Sequence, residues 1–241
     1  MIAAVEPQPW RVASIETPAP DVRIVRLAPD DGAPFPWRAG QYASIAVDGF
    51  EPRDYSIANP SGGDALELHV RPGSPGGLGE HLCRHLDIGD TVTVAGPFGA
   101  AYYRDRHEGP LLAIAGGTGL AQMKAIVETA LQDGFRQDIH LYVGVRTEDD
   151  LYLERYFIGL THDYPNFRFV TVIAEPRENS GRRSGLVGEA VAADFQLLYG
   201  HQCYLSGPPA MVDACRAMLK LKAVPPHDIF TDAAYAVPVP R

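Results

Sequence analysis

The stretch Leu111-Leu112-Ala113-Ile114-Ala115-Gly116-Gly117-Thr118-Gly119 decides how the second half of this chain folds. Its five leading residues are all apolar, as a strand buried on both faces requires. A turn of Gly and Thr follows, and Leu120 to Leu131 then continues as an amphipathic stretch at helical spacing. Strand, tight turn and helix in that order open a βαβ unit. Ile139–Val143, Phe167–Val172 and Cys203–Leu205 are further apolar runs, with helical stretches at Val187–Phe195 and Met211–Leu221. This alternation predicts a parallel sheet with right-handed crossovers and helices on both faces.

Before this stretch the rhythm differs. From Trp10 to about Gly99 the apolar residues come in short alternating bursts between Pro, Gly and Asp: Val22–Leu27, Tyr42–Val47, Leu66–Val70 and Thr91–Ala95. Alternation over so few residues predicts half-buried strands of an antiparallel barrel or sandwich. One short helix is expected around Leu78–Leu86. The polar segment Tyr103–Gly109 separates the two rhythms, so the expected domains are an antiparallel β domain at 1–105 and an α/β domain at 106–241.

Composition narrows the function classes. The chain has 241 residues, 46% hydrophobic and 21% charged, as a folded globular protein has. A net charge of −9 without clustered Lys or Arg argues against a nucleic-acid partner. No apolar run approaches the roughly 20 residues of a membrane-spanning helix, and Met1–Trp10 lacks the pattern of a secretory leader. Three cysteines, Cys83, Cys203 and Cys215, fit neither a disulfide framework nor the four-thiolate spacing of a plant-type iron–sulfur cluster. A reducing cytoplasm is the expected location.

Three short motifs carry chemistry. Arg53-Asp54-Tyr55-Ser56 offers a guanidinium that can grip a pyrophosphate, a flat ring, and a hydroxyl. Gly116-Gly117-Thr118-Gly119 lies where a strand hands over to a helix, the setting in which a pyrophosphate meets free backbone N–H groups. It is not the G-x-G-x-x-G fingerprint, because the third glycine would fall on Gln122. Ser206-Gly207-Pro208-Pro209 follows another apolar strand, and its prolines suit a helix start. Each motif alone also suits an ordinary strand or turn.

Together, in this order, they resemble the ferredoxin–NADP reductase family, above all its bacterial oxygenase reductases and flavin reductases. Arg53-x-Tyr55-Ser56 followed by Ile57-Ala58-Asn59, with Ala39-Gly40-Gln41-Tyr42 ahead, is similar to that family's flavin motif, and the likeness runs from about Trp10 to Tyr235. It implies a six-stranded antiparallel barrel holding FAD, followed by a parallel-sheet domain for the nicotinamide nucleotide. Arg53 would contact flavin phosphate. His69, Val70 and Arg71 would lie along the cofactor, and Gly76, Gly77 and Leu78 would frame its pyrophosphate. Tyr55, Ser56 and Ser206 would form the catalytic set beside the reacting rings. Gly117, Thr118, Gly119, Arg146, Glu175, Gly207 and Pro208 would serve the nucleotide, and Tyr235 would lie near the flavin. No metal is expected.

Three departures from the family pattern stand out. Gly79 replaces a usual Ser or Thr, which removes a hydroxyl contact; FAD is still expected over FMN, and Gly76-Gly77 suggests a retained pyrophosphate grip, against the free-flavin alternative. Gln122 replaces a usual Pro, and Ser206 a usual Cys. After the third strand of the second domain, Glu175 stands where NADPH-using relatives carry a Ser-Arg pair. A carboxylate repels a 2′-phosphate and accepts from a ribose hydroxyl, so NADH is expected over NADPH, although Arg177, Arg182 and Arg183 are close in sequence. The expected activity is hydride transfer from NADH to flavin and delivery of single electrons to a separate iron–sulfur or oxygenase component. The alternatives are a free-flavin reductase and a binding subunit without turnover. His81 and His85, four apart, are read as ordinary helix histidines, and Met211, Met218 and Leu219 as core.

Overall fold

The computed structural model describes residues 5–30 and 35–232. Its first half is a six-stranded antiparallel sheet of β1 (Val5–Ala19), β2 (Val22–Pro29), β3 (Tyr42–Ala46), β4 (Arg53–Ser56), β5 (Leu66–Val70) and β6 (Thr91–Phe98). The strand order is β4-β3-β6-β1-β2-β5. A bridge between Ile57 and Leu68, with Ala58 N–H donating to Glu67 O at 2.7 Å, joins the two edges and closes the barrel. Closure removes the open edges a sheet would otherwise present. The inward residues of each strand meet in one core around Trp10, Leu27, Ile45, Leu68 and Val94. Trp10 packs edge-on against Phe35, with centroids 5.5 Å apart. Helix α1 (Leu78–Arg84) lies where the sequence predicts one and buries Leu78 and Leu82. β1 starts five residues earlier than the sequence indicated, because Val5–Trp10 pairs with β6 despite its two prolines.

The second half is a five-stranded parallel sheet in the order β11-β10-β7-β8-β9. It comprises β7 (Leu111–Gly116), β8 (Ile139–Val145), β9 (Phe167–Ile173), β10 (Gln202–Ser206) and β11 (Ile229–Phe230). The uninterrupted apolar run of β7 is explained by its place at the centre. Leu111, Ala113 and Ala115 face α2 (Leu120–Gln132), whereas Leu112 and Ile114 face the core shared with α4 (Val187–Asp194) and α5 (Pro209–Leu221). Helix α3 (Glu154–Asp163) has no counterpart in the sequence reading, since it fully buries only Phe157 and so carries little apolar pattern. Cys83 belongs to the barrel and Cys203 and Cys215 to the α/β core, all three as free thiols. No helix among the described residues is long and apolar enough to cross a membrane.

The two halves meet over α2 and β5. The sequence shows both as two-sided elements, one face apolar and one polar, yet β5 is buried throughout and α2 everywhere except Thr129 and its C-terminal Gln132. Glu67 and His69 of β5 and Gln122, Lys124 and Glu128 of α2 are each less than one-tenth exposed. Their polar faces are turned toward each other.

Candidate active site

β7 and β10 lie side by side, with Ser206 opposite Ala115, and the chain leaves them toward opposite edges of the sheet. Such a switch point leaves a crevice beyond the strand ends, the usual ligand site of an open α/β sheet. Glycine is demanded here by close approach. A Cβ on Gly119 would stand 2.2 Å from Ser206 O, and one on Gly116 2.5 Å from Met211 Sδ. On Gly207 it would stand 3.0 Å from Gly116 N. The turn at Gly117–Gly119 is a single 3₁₀ turn that runs straight into α2.

A cavity of about 810 Å³ opens above these ends, within the range of small-molecule sites. Its walls include Gly116, Gly117 and Pro208 from the switch point, Arg146 from the end of β8, and Arg71 from the barrel. Met211 and Met218, expected in the core, are half-buried and line this cavity; only Leu219 is fully core. Arg146 is exposed at the rim. Glu175 is exposed as well, and its N–H bonds to Arg146 O at 2.8 Å, which splices the end of β9 to that of β8. The three neighbouring arginines are held elsewhere: Arg177 by Asp149, Arg182 by Glu154 and Arg183 by Asp194. Ser206 and Gly207 border a separate cavity of about 240 Å³ with Gln122, Arg216 and Asp232. The Ser206 side chain is buried, and its Oγ has no hydrogen-bond partner among the described residues.

On the barrel side, Arg53 is exposed at the start of β4, next to the loop at Gly73, where a Cβ would lie 3.1 Å from Arg53 Nη1. Tyr55 is half-buried two residues on, on the same strand face. Its hydroxyl is buried with no partner among the described residues, and burial raises its pKa to about 12. Ser56 is half-buried opposite Tyr42. Arg71 bridges the halves: Nη2 donates to Asp150 Oδ1 at 2.6 Å, Nη1 faces Gly117, and Nε is buried with no partner among the described residues. Three side chains expected at the site, Tyr55, Arg71 and Ser206, thus hold buried polar atoms with no partner among the described residues, each costly if left unpaired.

Several expectations need correction. The imidazole of His69 is not free to lie along a ligand. It is buried between Glu67 Oε1 (3.1 Å from Nε2) and Tyr152 Oη (2.9 Å from Nδ1). Val70 and Leu78 turn their side chains into the barrel core, leaving only main chain to offer. Gly76 N–H donates to Glu80 Oε2 at 2.6 Å and Gly77 N–H to Ser74 O at 3.1 Å, so neither points outward unoccupied. Gly79 is a packing requirement rather than a lost contact, since a Cβ there would sit 2.7 Å from Pro72 O and 2.8 Å from Arg71 O. Gln122, which stands where the family usually has Pro, makes bonds a Pro could not: its Nε2 donates across the domain boundary to Gly40 O at 2.8 Å and Ala101 O at 3.2 Å. Thr118 is half-buried at the turn. Tyr235 lies outside the described residues. His81 packs tilted against Phe50, with centroids 4.6 Å apart, and no His, Cys, Asp or Glu cluster among the described residues could hold a metal.

Known proteins share this arrangement. The Oxidoreductase FAD-binding domain family matches residues 9–103 and the Oxidoreductase NAD-binding domain family residues 113–217. The ferredoxin–NAD(P)(+) reductase component of the naphthalene 1,2-dioxygenase system of Pseudomonas putida is 37% identical over 224 residues, spanning 93% of this chain and 68% of that protein. Among solved structures, the Amycolatopsis cytochrome P450 reductase GcoB superposes with a TM-score of 0.87 at 34% identity, over 94% of this chain and 69% of its own. The ferredoxin reductase of carbazole 1,9a-dioxygenase does so with a TM-score of 0.88 at 26% identity, over 97% and 70%. The chain therefore belongs to the ferredoxin–NAD(P) reductase family of oxygenase reductase components, two-domain flavoprotein oxidoreductases with an FAD half and a nicotinamide-nucleotide half.

Proposed function

We propose that this chain moves electrons from NADH through FAD to a separate acceptor, an iron–sulfur protein or an oxygenase component, in the cytoplasm. The FAD, when bound, supplies the two-electron to one-electron conversion that no side chain can perform. In this reading residues 1–105 form the flavin domain and 106–241 the nucleotide domain. Arg53 and Arg71 carry phosphate charge, and Tyr55 flanks the flavin ring. Ser56 and Ser206 sit beside the reacting atoms. Gly117, Thr118, Gly119, Gly207 and Pro208 let the nucleotide approach the sheet, and Arg146 meets its phosphates. The observation that carries the reading is Arg71, a barrel residue whose guanidinium closes the wall of the nucleotide cavity. Anaerobic titration tests it: NADH should bleach the bound flavin, and a protein that stays oxidised would refute the reading.

NADH rather than NADPH follows from Glu175 beside the cavity and from the pairing of Arg177, Arg182 and Arg183 with carboxylates. Glu175→Ser should raise kcat/KM for NADPH by about tenfold, equivalent to ~1.4 kcal/mol, with little change for NADH. Steady-state kinetics with both nucleotides checks this; a wild type that prefers NADPH would defeat it.

One observation favours the second reading, in which flavin is a substrate that leaves reduced. The Glu80 carboxylate caps Gly76 N–H, on the segment proposed for a flavin pyrophosphate. A carboxylate there competes with phosphate and weakens its retention. Glu80→Gln should tighten FAD binding by about five- to tenfold, measured by fluorescence titration of apoprotein. A wild type purified yellow with one FAD per chain favours the bound cofactor, and a colourless one the exchangeable substrate.

A further inference from the structure

We propose that Lys124 is a positioning residue that sets the register between the flavin strand and the nucleotide turn. The proposal rests on the functional reading above. Lys124 stands five residues beyond Gly119 on the helix that begins at the glycine turn, roughly 7.5 Å along its axis. It is 8% exposed and reaches into the barrel. Its Nζ lies 3.2 Å from Ala58 O, 3.0 Å from Glu67 Oε1 and 3.0 Å from Glu128 Oε1. An ammonium has three N–H bonds, and here each has an acceptor. Ala58 lies two residues beyond Ser56, just where β4 ends. One side chain therefore ties the end of the flavin motif to the helix that carries the nucleotide turn.

The tie continues through β5. Glu67 Oε1 also faces His69 Nε2, while Glu67 Oε2 accepts from Arg26 at 3.0 and 2.9 Å. The other nitrogen of His69 meets Tyr152, and two residues before Tyr152 stands Asp150, the partner of Arg71. The contacts thus run from α2 through the barrel to the loop after β8 and return to the barrel on Arg71. Arg26 and Lys124 face the buried Glu67 and Glu128, and Arg26 also pairs with the exposed Glu16. Burial drives the His69 pKa down and keeps the ring neutral. Burial alone would raise the Glu67 pKa, but hydrogen bonds from His69 and Lys124 together with the Lys124 charge bring it down to about 2.

Stability does not demand such a cluster, because well-packed apolar residues replace a buried ion pair at no loss or even with gain. Directional bonds provide something apolar contact lacks: they fix two domains against sliding. Hydride transfer needs that precision, since its donor and acceptor must meet at roughly 3–3.5 Å and an ångström of misplacement costs about 100-fold.

The test uses FAD-loaded wild type, Lys124→Met and Tyr152→Phe. Stopped-flow mixing with NADH gives the limiting rate of flavin reduction and the NADH dissociation constant. Long-wavelength charge-transfer absorbance with NAD⁺ and reduced flavin reports ring overlap directly. Lys124→Met should lower the limiting rate about 10- to 100-fold and weaken the charge-transfer band at equal occupancy, with NADH affinity held within about threefold. Tyr152→Phe, which removes a single oxygen at the far end of the seam, should lower both readouts about three- to tenfold. A lowered melting temperature with unchanged rate and band would overturn the proposal, as would losses explained by FAD content alone. If Lys124→Met does not fold, Tyr152→Phe decides by the same criteria. A wild type that NADH does not bleach would instead refute the functional reading.

Discussion

Gly119→Ala should lower kcat/KM for NADH by about 100-fold while leaving FAD affinity within twofold. Gly119 has an ordinary helical φ of −58°, so alanine is not excluded by backbone conformation and its helix propensity is better by about 1 kcal/mol. What forbids it is space. The new methyl would stand 2.2 Å from Ser206 O, 2.4 Å from Ser206 C and 2.8 Å from Gly207 N, all backbone atoms. No side chain can swing away; the end of β10 must move outward by roughly an ångström. Overpacking of this kind costs about 1–3 kcal/mol of stability. The catalytic loss exceeds the stability loss because Ser206 and Gly207 form the floor on which the nicotinamide is proposed to rest, and transfer tolerates little displacement. Gly159 on α3 supplies the control, since a Cβ there meets nothing within 4 Å. Gly159→Ala should be neutral or stabilising by about 0.5–1 kcal/mol. Steady-state kinetics with thermal unfolding of both variants checks the pair, and equal kinetics would show that the switch-point turn does not position the nucleotide.

Arg71→Ala should cost about as much, by another route. Its guanidinium is the barrel's contribution to the nucleotide cavity, bonded to Asp150, facing Gly117 and leaving Nε buried with no partner among the described residues. A charge-assisted hydrogen bond contributes about 1.5–3 kcal/mol, so losing phosphate contact and the domain bridge together should reduce kcat/KM for NADH about 100-fold. Asp150 reports the same change. Burial alone would raise its pKa, but the hydrogen bond from Arg71 and those at Thr147 bring it below the usual carboxylate range, and that depression should shrink in the variant. Arg71→Lys should recover only part of the activity, because an ammonium cannot make the forked contact. Full recovery by Lys would mean that charge alone suffices, and an unaffected Arg71→Ala would remove Arg71 from the site.

How far the candidate site was readable depended on whether a residue acts through its main chain or its side chain. The glycines of the switch point were visible because close approach forbids every other residue type, and such a prohibition survives in one-dimensional sequence. His69 misled for the opposite reason: its place beside Arg71 in the chain says nothing about which way its ring turns, and a buried Glu67 and a Tyr152 from the other domain decide that. Gly76 was read as an open donor because Glu80, four residues on, looks like any surface carboxylate until the turn brings it back. Met211 was read as core because helical spacing cannot distinguish a wall of packed side chains from a wall of a cavity.

The sequence by itself determined the two-part architecture. The alternating bursts before Gly99 and the unbroken apolar run at Leu111–Ala115 are direct consequences of having one or two covered faces, and burial pattern is local enough to be written residue by residue. Only the tertiary structure decided how the parts are joined. The polar faces of β5 and α2 look solvent-directed in sequence, since charged and amide side chains next to an apolar stripe normally face water. Folding instead sets Glu67 of the barrel against Lys124 of the second domain, while His69 and Glu128 complete the cluster from the same strand and the same helix. Partners that far apart in the chain leave no periodic trace, because their pairing is set by geometry between domains and not by spacing within either one.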